Sequence, residues 1–492
     1  MSVVARNMIS LLASQVAAWV VSALMLWAVP NYLGAVNLGH FEFVITYTGF
    51  FALVGLLGTN SYVVKSTARD HSRVGALVLN GLALKLAMSA FLSVLAFGLG
   101  VVLGFDRQAF LLLGAACLGM TLKLVNDVLV AGLNGMERMA RPAMWGVVAQ
   151  YVGAAVGLVM IVLDRGLVAY AYALVPAGAI PIVANFIGLR PELRRSESKI
   201  DLRLWKTIAI GGLPFLAWGA ILFVYGSIDV VMLRPFAGSA TVGWYALALK
   251  WVALPVLIAG TVLTALFPAL ASSVVTDRDR FSRVANKALM LVAFVGLPMA
   301  AGIALVAEDM FDLLYGSKFD NSVPLIQIIA FHIPVVAIDM ILGMILFASD
   351  RQRQWVLVGC AAAAMNPILN VFAIPFTRDH YGNGAIGAAV TTIATEMVMM
   401  FGGFRLRPAG VLDAWTAGYM LRCVGATVPM VVVVLALGDV HVAVKVVVGI
   451  AVFAASSLLF RTASRDNLGS LAGQVFESFR SRGRMNPGPN TE

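Results

Sequence analysis

Fourteen apolar runs, each near the length of a bilayer-spanning helix, decide what this chain can fold into. A helix needs about 20 apolar residues to cross the hydrocarbon core of a bilayer. Inside that core only a helix or a closed barrel satisfies its own backbone polar groups. The runs fall at 8–30, 41–63, 76–100, 110–133, 144–163, 167–189, 207–232, 243–270, 288–307, 322–348, 356–375, 385–404, 416–437 and 442–460. Of the 492 residues, 60% are hydrophobic and 12% charged, with a mean hydropathy of +0.90. Soluble domains carry about 25% charged residues, and a soluble core stops growing beyond about 250–300 residues. A secreted globular enzyme, a nucleic-acid-binding protein and a disordered scaffold are therefore excluded. The expected fold is an all-α polytopic membrane protein with about 14 transmembrane helices.

Charge gives the orientation. The net charge is +10, but the basic residues are scattered between apolar runs and form no continuous face for nucleic acid. Alternate loops, with the two ends, hold 25 of the 35 Lys and Arg residues; the opposite loops hold 5 and the spans 5. The positive-inside rule then places both termini in the cytoplasm. The first apolar stretch, Met8 to Pro30, exceeds the roughly 7–15 residues of a signal-peptide core and is expected to be the first span. Cys117, Cys360 and Cys423 lie in apolar stretches without metal-ligand spacing and are expected to pack as small hydrophobes.

The longest basic connector, residues 190–206, separates two sets of six spans. Gly34-Ala-Val-Asn-Leu-Gly39-His40-Phe41 follows the first span, and Gly238-Ser-Ala-Thr-Val-Gly243-Trp244-Tyr245 follows the seventh. Both read G-x4-G-[HW]-[FY], at equivalent places in each set. The expected organisation is an N-terminal lobe at 1–189, a linker at 190–206, a C-terminal lobe at 207–404 related by a parallel repeat, two further helices at 405–460 and a cytoplasmic tail at 461–492. Parallel repeats place a transported substrate between the lobes. In the tail, Leu468, Leu471, Val475, Phe476 and Phe479 recur at helical spacing, as in a helix lying on an anionic leaflet, or else belong to a disordered basic end.

Ionisable residues within spans are costly and mark a cavity or a partner. Lys85 lies about 15 Å into the third span at 1.5 Å per residue, so it either lines a hydrated cavity and meets an anionic substrate or pairs with a carboxylate. Lys123 and Asp127 are one helical turn apart in the fourth span and can pair. Lys250 either snorkels outward or supplies the second half's cation. Lys85, Lys123 and Lys250 are the expected substrate contacts. Asp339 and Glu396 are the deepest acids and the expected ion-coupling groups. Glu42, Asp127 and Asp229 are expected gate or lobe-contact residues. Pro255, Pro298, Pro334 and Asn366-Pro367 remove helix hydrogen bonds and mark expected kinks. No GxSxG, HExxH or P-loop pattern occurs in a sensible setting, so no catalysis, cofactor or metal is expected.

Several stretches carry a family resemblance: Leu33-Gly34 with Gly39; Gly55-Leu-Leu-Gly58 through Lys65 and Arg69; Ala131-Gly-Leu-Asn-Gly-Met-Glu-Arg138; Pro214 to Asp229 with Val242-Gly243-Trp-Tyr245; Pro298 to Gly316; and Asn366-Pro-Ile-Leu-Asn370 with Gly384-Ala-Ile-Gly387-Ala-Ala389. In this order and spacing the chain resembles the polysaccharide or O-antigen flippases, called Wzx-like, of the multidrug/oligosaccharidyl-lipid/polysaccharide exporter (MOP) superfamily. Tyr32 stands where that family often has Arg, and no role is carried onto it. The resemblance implies a two-lobed fold with a central cavity. It also implies translocation of a polyprenyl-diphosphate-linked oligosaccharide across a bacterial inner membrane for exopolysaccharide, capsule or O-antigen assembly. Implied partners are that lipid-linked substrate, membrane lipid, a polysaccharide polymerase and chain-length or export proteins. Three other readings stay open: a drug/cation antiporter, a lipid II flippase, and a membrane polysaccharide polymerase or glycosyltransferase.

Overall fold

The computed structural model describes residues 3–56, 58–195 and 199–463; the expected tail helix lies outside the described residues. They form helices and turns without strands. In chain order the helices are α1 (Val3–Leu56), α2 (Thr59–Arg69), α3 (Val74–Val102), α4 (Arg107–Gly135), α5 (Ala140–Val162), α6 (Gly166–Leu174), α7 (Ala179–Arg195) and α8 (Leu202–Ala237). Then follow α9 (Ser239–Thr276), α10 (Arg278–Tyr315), α11 (Val323–Ile329), α12 (His332–Ala348), α13 (Gln352–Tyr381), α14 (Ala385–Leu406), α15 (Ala414–Ala436) and α16 (Val442–Leu459). Eleven stretches of the described residues are long and apolar enough to cross a membrane, and α12 is a shorter apolar helix. Each of the fourteen expected spans falls on helix. Val162, Phe372 and Leu459 are at least 70% exposed, as lipid-facing apolar residues are.

Several spans are interrupted where the sequence reads as continuous. The α1 helix kinks at Gly34 (φ 67°, ψ 174°), which splits it into limbs at 3–33 and 35–56. The second span then stops at Leu56, and α2 restarts after Gly58. The sixth span divides into α6 and α7 at a turn holding Pro176, and the tenth divides into α11 and α12 just before Pro334. Pro298 and Pro367, expected to mark kinks, sit inside the uninterrupted helices α10 and α13. Neighbouring packing holds a helix together where one ladder bond is missing.

The described chain forms two compact units. One is residues 11–243; the other is built on residues 244–463. In the first unit, Val74, Val78, Val128, Leu129, Leu133 and Leu189 join α3, α4 and α7 into a core. A second cluster, Val63, Leu77, Leu84, Ala131 and Ile208, brings in α2 and α8. The described part of the linker is tied down: Asn80 Nδ2 donates to the Lys199 carbonyl (3.2 Å), and the Asp201 N–H donates to Asn80 Oδ1 (2.7 Å). The two glycine motifs take the same backbone role. Gly238 (φ 86°, ψ 170°) breaks α8 from α9 much as Gly34 breaks α1, in a region that side chains with a Cβ rarely enter. A Cβ on Gly39 would collide with the Ser239 carbonyl, and one on Gly243 with the Ala35 carbonyl. The motifs therefore pack backbone against backbone at their second glycines.

In the second unit, α10 and α12 share a core of Phe281, Ala285, Ala288, Leu289, Val292, Ile338, Ile341, Leu342 and Ile345. Asn286 receives the Leu412 N–H and donates to the Gly410 carbonyl, which fastens the loop before α15. Lys445 of α16 pairs with Asp309 of α10 at 2.5 Å. Cys117 and Cys423 are buried as expected, whereas Cys360 is exposed on α13.

Candidate functional site

The first unit encloses a cavity of about 600 Å³. The second limb of α1 supplies Phe41, Val44, Thr48, Gly49 and Leu53; α4 supplies Leu112, Ala116, Met120 and Lys123; α6 supplies Ala171 and Leu174; α8 supplies Phe223 and Ser227. The walls are apolar and aromatic, and Lys123 is the charged side chain among them. The i,i+4 spacing does what the sequence led one to expect: Lys123 Nζ lies 3.3 Å from Asp127 Oδ2. The lysine side chain is 62% exposed and the aspartate 22%. Such a pair stabilises by only about 0.3–0.5 kcal/mol.

Lys85 is placed differently from the cavity-lining expectation. It has 0% exposure and is absent from the cavity wall. Its ammonium donates to the Gly55 carbonyl at 2.6 Å and the Leu56 carbonyl at 2.5 Å. These are among the last carbonyls of α1, which by helix geometry have no N–H partners of their own. In a lipid-embedded bundle no solvent replaces those partners, and a buried lysine on the facing helix does. Asp127 interacts electrostatically with Lys85 as well, so one carboxylate serves the cavity lysine and the enclosed one.

The deepest acids converge in the second unit. Asp339 of α12 and Glu396 of α14 are each 4% exposed, and neither Asp339 carboxyl oxygen has a hydrogen-bond partner among the described residues. His332 Nδ1, at the start of α12, lies 3.9 Å from Glu396 Oε1. Asp229 of α8 is buried. Glu42 is half-buried on the second limb of α1, with Tyr170 of α6 within its field. Lys250 lies exposed on α9.

The sequence model of the polysaccharide biosynthesis protein family matches residues 4–274, more than half of the chain. This chain is a Wzx-like member of that family. A second sequence model, that of the lipid II flippase MurJ, matches residues 158–460. The succinoglycan biosynthesis transport protein ExoT of Rhizobium meliloti is 23% identical over 61% of this chain and 59% of its own. A probable low-salt glycan biosynthesis flippase, Agl15 of Haloferax volcanii, is 20% identical over 73% of this chain and 74% of its own. The chain thus spans under two thirds of the length of the succinoglycan protein. Among solved structures, the inward closed lipid II flippase MurJ superimposes with a TM-score of 0.74 at 13% identity, over 92% of this chain and 99% of that one. An inward-facing MATE-family transporter of the MOP superfamily gives 0.64 at 16% identity, over 78% of this chain and 93% of that one. These likenesses establish the MOP fold for this Wzx-like chain.

Sequence reasoning found the charged residues within the spans of the Wzx-like chain, and the Lys123–Asp127 pair on one helix, but not the partners on other helices. Lys85 and Leu56 are 29 residues apart, and Asp339 and Glu396 are 57 apart; no spacing rule links positions on different helices. One signal for the Lys85 contact was present: Gly55-Leu-Leu-Gly58 is a poor helix interior. It marks a helix end, and a helix end inside a membrane requires a donor.

Proposed function

We propose that this protein flips a polyprenyl-diphosphate-linked oligosaccharide from the cytoplasmic to the outer leaflet of a bacterial inner membrane, with both of its own termini cytoplasmic. The observation that carries the reading is the apolar cavity of about 600 Å³ with Lys123 in its wall. That volume falls within the about 300–1,000 Å³ of small-molecule pockets. It is small for a whole lipid-linked oligosaccharide but matches the segment around its diphosphate. The phosphates would replace Asp127 at Lys123, the first isoprene units would lie against Phe41, Leu53, Met120 and Phe223, and the remaining tail would stay in lipid. Alternating access of residues 1–189 against 207–404 would carry the sugar across. Lys250 would be the second half's cation, Asp229 and Glu42 would contribute to closure, and Asp339 and Glu396 would bind the coupling ion. The relatives above, a succinoglycan biosynthesis transport protein and a probable glycan biosynthesis flippase, support the substrate class.

The test is reconstitution of the full chain in vesicles with a fluorescent polyprenyl-diphosphate oligosaccharide, scored by outer-leaflet accessibility to a quencher. Wild-type protein should flip and Lys123→Gln should not. Sugar transfer by the purified protein would support the polymerase reading instead. The match to the MurJ sequence model favours a second reading, lipid II as cargo. Rescue of cells depleted of lipid II flipping would support it, and cationic dye export would support the antiporter.

A further inference from the structure

The first unit carries another cavity, of about 560 Å³, where α4 and α6 begin. Arg107, the first residue of α4, and Arg165, just before α6, line it, with Leu111, Leu167 and Val168 as its apolar part. Among the described residues no ion pair engages either guanidinium. The acid in the wall is Asp106. Its Oδ1 accepts the Ala109 N–H at 3.2 Å and lies 3.5 Å from Arg234 Nη2. Arg234 reaches it from α8, held 4.4 Å and 4.9 Å from the ring centroids of Phe43 and Phe105. Asp106 is thus neutralised by a residue outside the cavity wall. Three arginines against one carboxylate leave two positive charges in excess. Asp164, next to Arg165 in the chain, is exposed and does not line the cavity.

Both helix starts are fastened to α1. The Gly166 N–H donates to the Tyr32 hydroxyl at 2.7 Å, which fixes the turn that presents Arg165. Gln108 Nε2 donates to Asn37 Oδ1 at 3.4 Å, which ties the start of α4 to α1 on the other side of its Gly34 kink. The first turns of α4 and α6 add the partial positive charge of a helix N-terminus. The distribution of charge along the chain points the same way. Arg107, Arg165 and Arg234 are three of the five Lys and Arg residues in the sparse set of loops, the others being Lys318 and Arg378. The positive-inside bias disfavours cations on that side of the membrane. Topology therefore does not account for three arginines gathered at one cavity, whereas an anionic ligand does.

We propose that this cavity binds the diphosphate of a prenyl-linked lipid at the membrane face opposite the termini. A diphosphate esterified at both ends, to a lipid and to a sugar, carries two negative charges, equal to the excess at the cavity. A phospholipid phosphodiester carries one. Arg107 and Arg165 offer planar forks of N–H donors that match phosphate oxygens. The first prenyl units lie against Leu111, Leu167 and Val168. As a lipid-diphosphate site this stands on its own geometry; as the place where a flipped carrier arrives it rests on the flippase reading.

Calorimetric titration of the full-length protein in neutral detergent, with geranyl diphosphate as the probe, tests the site. Lys123→Gln protein is the background, so that the cavity lysine does not contribute. One equivalent of probe should still bind there. Adding Arg107→Gln and Arg165→Gln should weaken that binding at least about tenfold at unchanged helix content. Inorganic diphosphate should bind at least about tenfold more weakly than the probe, as burial of about two CH2 groups requires, and phosphatidylglycerol should not compete. No binding in the Lys123→Gln background, or binding indifferent to the two arginines, would overturn the site. Equal binding of inorganic diphosphate would assign it to the free anion, and competition by phosphatidylglycerol to a phospholipid headgroup; either result overturns the lipid diphosphate. In vesicles, protein with only the two arginine substitutions should flip more slowly than wild type, and unchanged flipping would overturn the arrival role. A wild-type chain that binds the probe at the arginines but flips no polyprenyl-diphosphate oligosaccharide would count against the flippase reading and leave the site standing.

Discussion

Replacing Lys85 by Met tests whether an intramembrane lysine is spent on the helix or on the cargo. The variant keeps most of the side-chain volume and removes two charge-assisted hydrogen bonds, at 2.6 and 2.5 Å, from the Gly55 and Leu56 carbonyls. Hydrogen bonds to charged groups contribute about 1.5–3 kcal/mol each, so the pair contributes about 3–6 kcal/mol. Against that stands the cost of holding an ammonium in the bundle, about 2.5–3.5 kcal/mol on insertion scales. The difference leaves a net loss centred near 1.5 kcal/mol, roughly a tenfold change in the unfolding equilibrium. Reversible unfolding in mixed micelles, read by tryptophan fluorescence, measures this directly. The same preparations give affinity for a water-soluble diphosphate headgroup analogue. The expected result is reduced stability with headgroup affinity within about twofold of wild type, a difference of about 0.4 kcal/mol. A variant with unchanged stability but at least tenfold weaker headgroup binding would refute the helix-end reading and return Lys85 to the substrate.

Other outcomes follow from the same contacts. Lys123→Gln should change stability by under about 0.5 kcal/mol, as for an exposed i,i+4 pair, yet lower diphosphate affinity at least tenfold; a large stability loss with intact binding would reverse the roles of the two lysines. Gly39→Ala and Gly243→Ala should each destabilise by about 1–3 kcal/mol, the range for forced overpacking, because each Cβ meets a backbone carbonyl that cannot swing away; normal expression and melting of either would contradict the packing. In the loop after α2, the Ser72 hydroxyl and N–H both donate to Asp70 Oδ1, at 2.6 and 3.0 Å, and hold its carboxyl below the usual carboxylate range. The stability this contributes is present above the ordinary aspartate pKa and is lost as pH falls through the lowered one. Asp70→Asn should thus melt below wild type at neutral pH, the gap closing in acid; a gap that widens on acidification would refute the assignment.

Much of the architecture followed from local sequence, because a bilayer turns local composition into a global constraint. Runs of about 20 apolar residues have one low-energy state in hydrocarbon, so the fourteen expected spans all fall on helix. The G-x4-G repeat was legible for a related reason: only glycine accepts the backbone of Gly34 and Gly238 without strain, and only glycine lets the backbones at Gly39 and Gly243 touch. The Lys123–Asp127 pair was readable since both lie on one helical face.

The partners across helices were decided by tertiary structure alone. The sequence determined that Lys85, Asp339 and Glu396 lie within the membrane, since each falls mid-run. It did not determine that Lys85 closes a helix end rather than lining a cavity, or that the two acids lie buried on packed helices. Burial energy inside a membrane fixes that a polar group must find a partner. Which partner it finds depends on how helices pack side by side, through contacts between positions tens of residues apart. Apolar faces with little periodic contrast leave that packing unspecified until the whole bundle is assembled.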